Sequence, residues 1–153
     1  MALAEQRLPA APGKKPDDWL LNAPDDEARF KLLQRYLRGF DQPMWEVGER
    51  FESIYDALAD ENYDLAVYHW EKIKVTIVNG TMKRPKRQAN ADALFVNGAY
   101  APVLDAFKSK DAKRAWEGFA LARKTCQSCH EAEKVGFINN QPLFRKTAAP
   151  PRK

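Results

Sequence analysis

Residues 111–134, DAKRAWEGFALARKTCQSCHEAEK, decide how this chain is read. Asp111 is a good N-cap residue. Ala112, Ala115, Trp116, Phe119 and Ala122 then recur at helical spacing, so the segment predicts one long amphipathic helix running to about Lys134. That helix carries both cysteines of the chain and one of its two histidines, in the run Cys126-Gln127-Ser128-Cys129-His130. Positions i, i+3 and i+4 place Cys126, Cys129 and His130 on one helical face. Cys-x-x-Cys-His is the attachment pattern of c-type haem. Two thiols add to the two haem vinyl groups, and the adjacent imidazole turns a nitrogen onto the iron. One covalently attached haem c is therefore expected, on Cys126 and Cys129, with His130 as an axial ligand.

Three other uses of these residues compete. A disulfide across two intervening residues closes a tiny loop and stabilises little. A thioredoxin-like pair opens the helix of a βαβ unit, and no such pattern surrounds Cys126. A zinc site needs further ligands, which carboxylates would have to supply.

Working outward, three more long helical patterns precede the motif. The first starts near Asp41 and Pro43 and places Met44, Val47, Phe51, Ile54, Tyr55 and Leu58 on one face. The second runs from Asn62 to Asn79 through Ala66, Trp70, Ile73 and Ile77, with Gly80 as its expected stop. The third spans about Asn90 to Lys108, and Pro102 should kink it or start a new segment. An additional short helix begins at Pro24-Asp25-Asp26-Glu27 and ends near Gly39. Short connections make neighbouring helices antiparallel. The expected fold is all-α: an antiparallel four-helix bundle with an extra N-terminal helix and haem c on the last helix. Residues 1–24 read as an extended tail that Trp19-Leu20-Leu21 pins to the body, 25–138 as the haem-binding bundle, and 139–153 as a loose, Pro- and Lys/Arg-rich tail.

Bundle geometry nominates a second iron ligand. Measured from the Ala59–Glu61 loop, Met44 stands about 24 Å up the first helix and His130 about 28 Å up the fourth, at 1.5 Å per residue. His69 stands only about 10 Å up the second, and is read as a partly buried histidine beside Trp70. Met44 is the expected ligand. Met82, in the loop after Gly80, and a five-coordinate iron are the alternatives. Lys83-Arg84-Pro85-Lys86-Arg87 falls at the same end as His130, where it serves either as a solvated connector or as a partner for haem propionates and docking proteins.

Across residues 28–138, with Cys-x-x-Cys-His near the end of a fourth helix, the chain resembles the class II c-type cytochromes: the cytochrome c prime family and its low-spin relatives. The resemblance implies a four-helix bundle with haem on the last helix. Low-spin members take a Met near the start of the first helix as sixth ligand, where Gln42-Pro43-Met44-Trp45-Glu46-Val47-Gly48 stands here. High-spin members leave that position open and bind small gases. Family members are often dimers, so a homodimer is implied as well.

The 153 residues are 44% hydrophobic and 30% charged, which suits one ordinary globular domain. No apolar run reaches the length of a membrane span. A formal charge of +4 is too mild for nucleic-acid binding and compatible with an acidic docking partner. Met1-Ala2-Leu3-Ala4-Glu5 holds the Ala-x-Ala of a cleavage site without a full signal peptide. Haem c is attached outside the bacterial cytoplasm, so a periplasmic location is expected. The expected function is one-electron transfer between redox partners. Gas binding at an open iron is the alternative. Enzymatic activity is not expected, because His69, the one candidate distal base, stands at the wrong level.

Overall fold

The structure is a computed structural model and describes residues 18–151; most of the tail expected over 1–24 lies outside them. The described residues are all-helical, and the chain divides into two compact units between Arg38 and Gly39.

In the first unit, α1 (Asp26–Tyr36) starts where Asp25 accepts a 2.7 Å hydrogen bond from the Ala28 amide, with Asp26 and Glu27 in its first turn. Upstream, Asp18 accepts from the Leu20 and Leu21 amides. The Trp19 ring rests 5.6 Å from that of Tyr36, and Arg29 Nε donates to the Leu20 carbonyl. The pinning residues thus fasten onto α1.

The second unit holds four long helices: α2 (Asp41–Ala59), α3 (Tyr63–Lys83), α4 (88–108) and α5 (Ala112–Ala132). Asn62 caps α3 by accepting from the Leu65 amide, and Asp111 caps α5 by accepting from the Arg114 amide. The helices share one core, in which Ile54, Trp70, Ile73, Val103 and Phe107 are fully buried. Packing is most extensive between α2 and α3, then between α4 and α5.

α4 changes its winding along its length. Ala91–Ala99 is π-helical and Tyr100–Lys108 is α-helical. The Tyr100 amide donates to the Phe95 carbonyl, a five-residue span. The change comes two residues before Pro102, where the proline's missing N–H and bulky ring have to be accommodated.

Gly80 does not end α3, contrary to expectation. The helix continues to Lys83 because this glycine is a packing residue: a Cβ there would lie 2.8 Å from the Phe40 ring and 3.3 Å from Pro43. Met82 is consequently on a helix and not in a loop.

Gly118 plays the same part between α4 and α5, where a Cβ would stand 2.6 Å from Ala106 Cβ. Gly118→Ala gains about 1 kcal/mol of helix propensity. The backbone-borne Ala106 Cβ cannot swing aside, so overpacking costs about 1–3 kcal/mol. We expect a net loss, seen as a lower urea midpoint; a raised midpoint would contradict the close packing.

Residues 139–149 are packed and not loose. Beyond α5, a 3-10 turn (Gly136–Asn140) leads into α6 (Pro142–Lys146). Phe144 is 3% exposed, its ring 6.2 Å from that of Phe51. Arg123 Nη2 donates to the Phe144 carbonyl at 2.9 Å, and Tyr55 Oη to the Ala149 carbonyl at 3.0 Å. Two apolar side chains and Pro142 at the first helical turn supply what the charged composition concealed.

Candidate functional site

Cys126, Cys129 and His130 occupy the last turns of α5, and all three line one cavity of about 440 Å³. Its size falls in the range of about 300–1,000 Å³ typical of ligand sites. The walls are chiefly apolar. α2 contributes Met44, Val47 and Phe51, α3 contributes Ile77, and α4 contributes Ala91 and Phe95. Ile138, Leu143 and Phe144, from the segment after the motif, complete them. Trp45 also borders the cavity while remaining 85% exposed, which puts it at the mouth.

Both cysteines are free. Burial pushes the Cys126 thiol up to about 12, with the neighbouring Cys129 adding to the rise. Burial also raises Cys129, helped by the Glu133 carboxylate and opposed by Arg87. These are protonated thiols in the last turns of a helix. A reactive disulfide-exchange cysteine has the opposite setting: a helix N-terminus, a positive neighbour and a lowered pKa.

The His130 ring lies 5.8 Å from that of Phe144, edge to face. Its Nδ1 is 2.8 Å from Asn139 Oδ1, which leaves Nε2 as the nitrogen without a hydrogen-bond partner among the described residues. Charged groups also border the cavity, among them Arg87 and Glu133. Glu133, just past α5, accepts from Arg87 Nη1 and from Asn90 Nδ2, the latter at 2.8 Å. Of the basic run 83–87, Arg87 alone reaches the cavity wall.

The four expected site residues, Cys126, Cys129, His130 and Met44, thus come together around one space. Met82 and His69 do not join them. Met82 is 74% exposed. His69 faces Arg50, whose Nη1 is 3.4 Å from His69 Nδ1. Burial and the Arg50 charge lower its pKa. Arg50 in turn is held by Glu46, which also accepts from Thr76.

Among the described residues, no three His, Cys, Asp or Glu side chains form a group able to hold a metal ion by themselves. Sequence reading missed Asn139, Glu133, Leu143 and Phe144. The apolar pairs at 137–138 and 143–144 were the available signal.

No family model, curated protein or solved structure matches this chain. Among the described residues, no helix is long and apolar enough to cross a membrane.

Proposed function

We propose that the chain is a periplasmic monohaem c-type cytochrome of the class II kind: an antiparallel four-helix bundle that carries haem c on its last long helix and transfers single electrons. One observation carries the reading. The Cys126, Cys129 and His130 side chains of the Cys-x-x-Cys-His run and the Met44 thioether all border the same apolar cavity.

The residues fit the group in kind. Cys126 and Cys129 offer two free thiols, three residues apart on one helix. They would hold the group through two thioether bonds, each S–H adding across one vinyl double bond with sulfur on one carbon and the proton on the other, so that no external oxidant would be needed. His130, through Nε2, and Met44, through its thioether, would hold the iron. Phe51, Phe95, Ile138 and Leu143 supply apolar walls that exclude water from a macrocycle. Arg87, steadied by Glu133, provides a cation for a propionate. When bound, haem supplies the Fe(III)/Fe(II) couple, and a Met/His ligand pair raises its potential into a range suited to electron transfer. The mild positive charge favours acidic redox partners, and a homodimer is part of the same proposal.

The test is mass spectrometry of protein made in a host able to attach haem c. After denaturation the chain should keep the added mass of one haem, located on the peptide that contains Cys126 and Cys129. An intact chain without haem from such a host would overturn the reading.

A further inference from the structure

The amide of Asn139 makes three contacts with the motif and the residue that follows it. Its Nδ2 donates to the Gln127 carbonyl at 3.2 Å and to Glu131 Oε1 at 3.0 Å. Both partners are acceptors only, so the orientation of the amide is fixed by chemistry; a flipped amide would set its oxygen against two oxygens. Oδ1 therefore faces His130 Nδ1, at 2.8 Å. An amide oxygen only accepts, so Nδ1 must carry the proton. In a neutral imidazole the lone pair then belongs to Nε2.

We infer that Asn139 is the positioning residue of His130: it holds the ring as the Nδ1–H tautomer and leaves Nε2 as the free donor atom. The haem reading supplies the identity of what Nε2 meets; the tautomer is a property of the chain alone. The backbone is shaped for this contact. Lys134 adopts φ 62°, and the Val135 amide donates to the His130 carbonyl at 2.9 Å, which turns the chain back along α5. The Glu131 carboxylate reaches Asn139 past Gly136, where a Cβ would lie 2.3 Å from it. An acceptor on the Nδ1–H also raises the basicity of the ring as a ligand, and a neutral amide does so less than a carboxylate would.

His69 is an internal control with the opposite assignment. The guanidinium of Arg50 only donates, so His69 Nδ1 accepts and the proton of that ring sits on Nε2.

The experiment records ring ¹⁵N shifts and long-range proton couplings of the labelled full chain, at a pH where imidazoles are neutral. One Nδ1–H ring and one Nε2–H ring are expected, and His69→Gln should remove the second. An Nε2–H tautomer at His130 in the wild-type chain overturns the inference, whatever any variant does. In the reduced haem-loaded protein, Asn139→Leu should speed exchange of the Nδ1 proton about tenfold, the equivalent of one net hydrogen bond. The reduction potential should order as Asn139→Leu above wild type above Asn139→Asp. Equal exchange rates and equal potentials in all three would also overturn it. If the chain takes up no haem, the cytochrome reading fails while the tautomer measurement still decides the role of Asn139.

Discussion

Replacing Met44 by Ala should leave haem bound through Cys126 and Cys129 and turn a low-spin iron high-spin. Met44 is partly buried in the first turn of α2, and it faces the cavity that His130 lines from α5. Among the residues lining the cavity, its thioether is the one soft donor besides the sulfurs of Cys126 and Cys129, and as a ligand it would stabilise Fe(II) over Fe(III). Without it the potential should fall by on the order of 0.1–0.2 V, a fraction of the roughly 0.8 V range that axial ligands command. External ligands such as CO should then bind the reduced iron freely. Met82→Ala and His69→Ala should change neither spin state nor potential, because neither side chain borders the cavity. Oxidised and reduced absorption spectra check all three variants. A wild-type protein already high-spin would remove Met44 as ligand and favour the gas-binding reading over electron transfer.

Trp70→Ala should destabilise the fold by about 3–5 kcal/mol. Trp70 is 0% exposed, and its ring meets Phe95 at 5.2 Å, Phe107 at 6.1 Å and Tyr100 at 6.2 Å. Its Nε1 donates to the Tyr100 carbonyl at 3.0 Å. That carbonyl sits where α4 passes from π to α winding, so the indole ties α3 to the least regular stretch of the core. Truncation leaves both a void and a polar group short of its partner. Domains of this size are typically stable by about 5–15 kcal/mol, so the loss should appear as a large fall in the urea midpoint. Trp70→Phe restores most of the volume but not the donor, and should cost about half as much. A cost below about 1 kcal/mol for Trp70→Ala would mean that the ring is not central to the core. Phe95 lines the cavity as well as touching Trp70, so the same variant should perturb the haem spectrum before the protein unfolds.

Most of what local chemistry dictates was legible in the chain. Asp25, Asn62 and Asp111 announce helix starts, because a short polar side chain at an N-cap satisfies an amide the helix leaves unpaired. Apolar residues at three- and four-residue spacing mark the faces of α2, α3 and α5 that meet in the core. Cys126, Cys129 and His130 share a face by helical geometry alone, and the height argument brought Met44 to the same end.

Tertiary structure decided the rest. Gly80 looks the same in sequence whether it adopts a left-handed cap or clears space for another side chain, and only the Phe40 ring pressed against it distinguishes the two. Phe144 sits among prolines and cations that read as a tail, yet the gain from burying its ring against Phe51 folds that segment back. Asn139 carried no signal. It acquires a role only because a left-handed residue at Lys134 and a glycine at 136 reverse the chain over α5, setting an amide nine residues away against the ring of His130. Spacing along a helix is fixed by covalent geometry and can be counted from the chain. A contact made across a turn depends on where the packed core lets the chain return, and one-dimensional periodicity does not encode it.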